Sequence, residues 1–234
     1  MKKLLIALLL LPLIALANPI DDKCPQFVLR GAPISQLTNT QYICKTNYAI
    51  HYRYDTKTPE YVVEHVTKAA ITGPAKRKDD FRPDPAIPVT AQSQLSDYAG
   101  FPYDRGHLVP AGDNTQNDLI MSESFFLSNM VPQVANNNRG IWKQAETFER
   151  QWAATPGTNY FIISGGIYDA NSQKIGSGLT IPTRLYKIVI EKNSRKVEAW
   201  LMPNAPLPVA DLPKYQTNMT AIEQATGMRF NLGQ

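Results

Sequence analysis

Residues that alternate in pairs lie toward both ends of this chain and enclose a central block with helical spacing, an order that few folds accommodate. Tyr48, Ile50, Tyr52 and Tyr54 recur at every second position, as on one face of a half-buried strand. Residues 55–59 carry turn chemistry, and residues 61–67 read as the partner strand. Residues 160–164 read as a short buried strand ending at Gly165-Gly166, and residues 184–190 and 196–202 flank Asn193-Ser194 as a hairpin. Between these strands, Ile141, Ala145, Phe148 and Trp152 follow i, i+4, i+7, i+11, the apolar stripe of a helix that Pro156-Gly157 stops. Residues 76–88 and 203–213 are proline-punctuated loops, and Thr217 is placed to cap a last short helix ending at Gly227. Strands on both sides of a helical block predict an α+β domain, a central antiparallel sheet flanked by helices.

The first residues stand apart from this pattern. Lys2 and Lys3 precede an apolar run over residues 4–16, and Ala15-Leu16-Ala17 places small residues around a cleavage point. Residues 1–17 are therefore expected to be a signal peptide, too short to span a bilayer comfortably, leaving one domain over residues 18–234 in the periplasm or outside the cell. Cys24 and Cys44, the two cysteines of the sequence, are expected to pair in such an oxidising compartment. The net charge is +4, and removal of Lys2 and Lys3 from 24 basic residues leaves 22 against 20 acidic ones. A footprint for a polyanion must then be a local patch, because the overall charge does not supply it.

Chemistry concentrates at Tyr103-Asp104-Arg105-Gly106-His107. In an extended segment side chains alternate, so Arg105 and His107 share a face while Asp104 points away to pair with backbone or a basic group. Gly106 lets another chain approach closely. His107, with a reference pKa near ~6.5, is suited to take a proton from water, and Arg105 to stabilise the added charge on a pentacoordinate phosphorus. His51 and His65, the other two histidines, fall in other strands, so a three-histidine zinc site is not supported. Asn138, Trp142 and Glu146 follow i, i+4, i+8, one row of the helix. The Asn138 amide oxygen, near a helix N-terminus, suits a hard cation such as Mg²⁺ or Mn²⁺, and Glu146 can hold a water of that ion. Each residue has a plainer use: an Asp-Arg turn, an asparagine cap, a solvated glutamate. The combination at this spacing points to one-metal phosphodiester hydrolysis.

The sequence resembles the DNA/RNA non-specific endonucleases of the ββα-metal superfamily, the Serratia-type and endonuclease G-like group. The resemblance is carried by Phe101-Pro102-Tyr103-Asp104-Arg105-Gly106-His107-Leu108, by residues 125–133, and by Asn138-Arg139-Gly140-Ile141-Trp142 with Glu146. It implies a ββα-metal motif in which His107 is the general base, Asn138 the direct Mg²⁺ ligand and Glu146 its water-mediated partner. Arg105 would steady the phosphate, and Asn129 would orient the histidine or bind substrate. It also implies DNA and RNA as substrates without sequence specificity, cut to 5′-phosphate ends, with the leaving 3′-oxygen protonated from a water on the metal. Some relatives place a second arginine upstream. Lys76, Arg77, Lys78 and Arg82 are candidates, with Arg77 and Arg82 the proposed substrate contacts and a solvated charge cluster the alternative. Two other readings are a non-catalytic extracellular nucleic-acid binder on the same fold, and a serine hydrolase built on Ser164. The second lacks a Gly-x-Ser-x-Gly elbow.

Overall fold

The computed structural model describes residues 18–230, so the signal-peptide expectation for residues 1–17 lies outside the described residues. The strands are β1 (Thr40–Cys44), β2 (Tyr48–Arg53), β3 (Thr58–Val66), β4 (Tyr103–His107), β5 (Met130–Val134), β6 (Tyr160–Ile167), β7 (Lys174–Ile175), β8 (Leu179–Thr180), β9 (Arg184–Glu191), β10 (Val197–Pro203) and β11 (Gln216–Thr217). The α-helices are α1 (Pro19–Lys23), α2 (Lys68–Ile71), α3 (Asp118–Glu123), α4 (Lys143–Ala153) and α5 (Met219–Thr226). A seven-stranded antiparallel sheet in the order β1-β2-β3-β6-β9-β10-β11 frames the molecule, which is the α+β arrangement expected from the sequence.

Both faces of this sheet are covered. Tyr48, Ile50, Val62 and Ile162 pack with Ile141 and Ala145 under α4, and Phe148 and Trp152 complete the expected apolar stripe. Ala49, Tyr61, Val63 and Ile188 form a second core with Ile20 of α1 and Ile222 of α5. Central strands buried on both sides lose visible alternation. That explains why β3 begins at Thr58, earlier than turn chemistry suggested. Gly165 and Gly166 do not end β6 but lie inside it: a Cβ on Gly165 would sit 2.3 Å from the Glu60 carbonyl oxygen and 2.5 Å from the Tyr186 hydroxyl. Asn218, not Thr217, caps α5 by accepting from the Ala221 amide, and Gly227 closes it at φ +73°. Residues 203–213 are not all loop, since Val209–Tyr215 winds into a 3-10 helix. The Cys24–Cys44 disulfide ties the end of α1 to β1, with Cα atoms 6.0 Å apart. Among the described residues no helix is long and apolar enough to cross a membrane.

β4 and β5 form a separate antiparallel pair, with Arg105 opposite Pro132 and His107 opposite Met130. The chain leaves β5 into a π-helical turn, Asn137–Trp142, and continues as α4. This ββα unit carries the site.

Candidate active site

An open cleft of about 960 Å³ runs between β4 and α4, lined among others by Arg77, Phe81, Arg105, His107, Asn138, Arg139, Lys143, Glu146 and Arg150. His107 forms its floor and is 9% exposed. The imidazole packs in a triangle with Phe81 and Phe125, at ring-centroid distances of 5.6 and 5.0 Å, and those two rings meet each other at 5.0 Å. The Arg105 guanidinium stacks 4.3 Å over Phe81, and that of Arg77 lies 5.0 Å over Phe125. Each aromatic neighbour of the histidine thus carries a cation. Burial, joined by repulsion from Arg77 and Arg105, lowers the His107 pKa to about 3, so the imidazole is neutral at physiological pH. Its Nε2 is buried without a hydrogen-bond partner. Gly106 is required because a Cβ there would lie 2.0 Å from Gln133 Oε1, and Gln133 in turn donates to Asn137 Oδ1 at 2.8 Å.

The opposite wall is set by the π turn. At 3.6 residues per turn, Asn138 and Glu146 would be about 80° apart around a regular helix. A turn closed i→i+5 holds about one residue more, which removes most of that offset and brings both side chains to the cleft. Trp142 does not share their row. It is fully buried, and its indole N–H donates to the His107 carbonyl at 3.2 Å, pinning the turn to β4.

Asp104 orients Asn138. Its carboxylate accepts from Asn138 Nδ2 at 2.8 Å and from Arg139 Nε and Nη2 at 2.8 and 2.6 Å. Burial pushes the Asp104 pKa up, but the bonds from Arg139 and Asn138 outweigh it and hold the group ionised. An ionised carboxylate only accepts, so the amide nitrogen must face Asp104 and the carbonyl oxygen is left for a cation. Glu146 is half-buried; burial raises its pKa to about 7 despite Lys187 and Arg150 nearby.

Behind this wall lies a layer of buried charge. Arg150 Nη1 meets Asp113 Oδ1 at 3.0 Å, and Lys187 Nζ meets Glu149 Oε1 at 3.0 Å with both side chains fully buried. Glu64, Asp113 and Glu149 bring one carboxylate oxygen each within 4.8 Å of one another. This trio is a poor seat for a catalytic ion, because none of the three lines the cleft and two of them, Asp113 and Glu149, already pair with Arg150 and Lys187. Asn138 and Glu146 offer hard oxygen donors facing the cleft, and these fit a divalent cation of the Mg²⁺ type.

Of the upstream candidates, Arg77 lines the cleft, whereas Arg82 does not. Arg82 is turned onto Phe126, at 4.0 Å from the ring centroid, and donates to Asp80 and the Ser122 carbonyl. Asn129 is also outside the cleft. It is fully buried, accepts from the Val109 amide, and donates to the Val109 and Ser124 carbonyls, so it holds the chain just after His107 and has no atom free for substrate. Ser164 is fully buried inside β6, which removes the serine-hydrolase reading. Sequence reasoning missed Phe81, Arg139, Lys143 and Arg150. The last three were visible as basic residues one, five and twelve positions after Asn138 on a helix already assigned to the site.

A family model for DNA/RNA non-specific endonucleases matches residues 30–234. The chain belongs to that family. It is 34% identical to human mitochondrial nuclease EXOG over 212 residues, covering 83% of this chain and 58% of that protein. It is 29% identical to nuclease C1 of Cunninghamella echinulata, covering 82% and 83% of the two chains, and 29% identical to mitochondrial endonuclease G of Caenorhabditis elegans, covering 79% and 66%. The chain thus spans less than two thirds of the length of EXOG. A crystal structure of EndoG in complex with EndoGI superposes with a TM-score of 0.81 at 27% identity, covering 89% of this chain and 91% of that one.

Proposed function

We propose that the protein is a divalent-cation-dependent endonuclease that hydrolyses phosphodiester bonds of DNA and RNA without sequence preference, leaving 5′-phosphate ends. The observation that carries this reading is the neutral imidazole of His107, with two guanidiniums stacked on its aromatic neighbours, in one cleft with Asn138 and Glu146. Arg77 and Arg105 draw the scissile phosphate to the histidine. The charge of that phosphate offsets theirs and raises the basicity of the imidazole at the moment it is needed. His107 then takes a proton as the water oxygen bonds to phosphorus and the bond to the 3′-oxygen breaks. A hard cation held at Asn138 would neutralise phosphate charge and supply the proton for the leaving oxygen from its hydration shell. Arg139, Lys143 and Arg150 extend the cationic lining, and phosphate contacts carry no base information.

Export to the periplasm or medium belongs to the same proposal. It is supported by the basic and apolar pattern of residues 1–17 and by the Cys24–Cys44 disulfide. EXOG and endonuclease G are named as mitochondrial, so compartment differs among relatives. N-terminal sequencing of the exported protein should begin at Asn18; a chain confined to the cytosol and starting at Met1 would overturn it. For the activity, purified protein should degrade plasmid and RNA, stop in EDTA and recover with Mg²⁺, and His107→Ala should lose at least ~100-fold. Full activity of His107→Ala would sink the mechanism, and retarded but uncut DNA in Mg²⁺ would favour the non-catalytic binder.

A further inference from the structure

We propose that Phe101 is a stacking platform for an unpaired nucleobase, which makes single-stranded nucleic acid the preferred substrate of this cleft. The inference rests on the endonuclease reading above and names its substrate class. Among the described residues, Phe101 is the one large apolar side chain that is both exposed, at 42%, and part of the cleft lining. An aromatic ring left in water beside cations is poorly placed for stability and well placed for a base.

The backbone fixes the point from which the Phe101 side chain leaves the chain before any ligand arrives. Residues 98–101 form a type II turn: Ala99 at φ −66°, ψ 127°, Gly100 at φ +79°, and the Phe101 amide donating to the Tyr98 carbonyl at 3.3 Å. A Cβ on Gly100 would meet nothing within 4 Å, so glycine is needed there for its backbone angle and not for space. Pro102 follows and confines Phe101 to extended conformations. The turn is anchored from below by Tyr98, buried against Leu127 and Met130, and from behind by Asp97, which accepts from the Ser177 amide at 2.7 Å. With the backbone held, only the two side-chain torsions of the phenylalanine remain to be ordered on binding.

The geometry also fixes the kind of effect. Five residues lie between Phe101 and His107, and four of them belong to the extended strand β4, whose length from Tyr103 to His107 is about 13 Å. Phe101 lies beyond the far end of that strand, so the ring is placed to meet a base beside the reacting phosphate and to strengthen binding rather than to take part in the chemistry. Bases inside a duplex are stacked on one another and offer no free face to a ring, whereas a single strand does.

The test measures KM and kcat on a single-stranded oligonucleotide and on its duplex, for wild type, Phe101→Ala and Phe101→Trp. A second single strand carries a run of abasic sites. Stacking on one base is expected to make Phe101→Ala weaker by about 5- to 150-fold in KM on the single strand, with a much smaller loss on duplex and on the abasic run. Phe101→Trp should retain the single-strand preference. Equal losses on all three substrates, or none, would overturn the inference. Wild-type cleavage tests the endonuclease reading separately, and fluorescence anisotropy of the same oligonucleotides with His107→Ala reads the stacking ratios even if that reading fails.

Discussion

Replacing Asp104 by alanine should cost more cation affinity than replacing it by asparagine, which can keep the bond that orients Asn138. In the native protein the Asp104 carboxylate accepts from the Asn138 amide nitrogen and from Arg139. The bond from Asn138 has a charged acceptor and is worth about 1.5–3 kcal/mol, enough to hold the amide oxygen toward the cleft by tenfold to a hundredfold. Asn138 Nδ2 and Arg139 Nε donate to the same oxygen, Oδ2 of Asp104, while Arg139 Nη2 takes Oδ1. In Asp104→Asn the new carbonyl oxygen therefore settles at the Oδ2 position, where it keeps two donors, and Asn138 retains a neutral acceptor in place of a charged one. Asp104→Ala leaves Asn138 free to turn either way. Expected is a Mg²⁺ requirement raised about 10- to 100-fold for Asp104→Ala, and by a smaller factor for Asp104→Asn. Arg139→Ala keeps the Asn138–Asp104 bond and should shift it little. The assay titrates Mg²⁺ against initial cleavage rate, with Mn²⁺ binding followed by electron paramagnetic resonance and thermal melts as the folding control. Equal Mg²⁺ requirements for wild type and Asp104→Ala, or a larger loss in Asp104→Asn, would refute the orienting role.

Other outcomes follow from the same contacts. With a folded pKa of about 3 against an unfolded value near ~6.5, His107 supports the fold fully above about pH 6.5 and loses that support as the pH falls toward 3. Relative to wild type, His107→Gln should therefore gain about 2 kcal/mol between pH 7.5 and pH 5 in urea unfolding, and parallel pH profiles would contradict this. Lys187→Met should destabilise by about 1–3 kcal/mol, because it leaves the buried Glu149 without its donor even when that carboxyl takes up a proton, and adding Glu149→Leu should recover most of the loss in melting temperature. A double variant no better than the single one would count against the pairing. Reduction of Cys24–Cys44 should cost about 3 kcal/mol, a fall in Tm of roughly 6–12 °C by differential scanning fluorimetry, and an unchanged Tm in reductant would deny it a stabilising role.

What could be read beforehand was whatever depends on near neighbours in the chain. The alternation in β4 put Arg105 and His107 on one face, and helical spacing put Asn138 and Glu146 near one another; all four line one cleft. The π turn escaped because nothing in Asn137-Asn138-Arg139-Gly140-Ile141-Trp142 marks an i→i+5 turn; it follows from the indole bond to His107 and from Gln133 beneath Asn137. Spacing could not separate Arg77 from Arg82. Phe126 and Asp80 decide that, and they meet Arg82 through tertiary packing. Gly165-Gly166 read as punctuation because the tight approach of Glu60 and Tyr186 comes from two other strands. Lys187 did leave a trace: a lysine between Leu185-Tyr186 and Ile188-Val189-Ile190, in the middle of β9, signals a buried cation in need of a partner.

The buried charge layer explains how a sheet with no atom in the cleft still shapes it. Lys187 of β9 and Glu64 of β3 stand on the face of the sheet that meets α4, where Glu149 pairs with Lys187 and Arg150 with Asp113. Fully ionised, Glu64, Asp113, Glu146 and Glu149 would oppose only Lys187 and Arg150. Burial resists that imbalance by raising the pKa of each carboxyl, well above normal for Glu64 and to about 8 for Glu149. The layer therefore retains protons near neutral pH and stays close to balanced. An apolar layer of equal volume would serve stability as well or better. What it would not do is fix the azimuth of α4, because apolar contacts are indifferent to small rotations while a lysine 3.0 Å from a carboxylate is not. Since Asn138, Glu146 and Arg150 all reach the cleft from this one helical run, locking its rotation against the sheet sets the position of the whole wall facing His107.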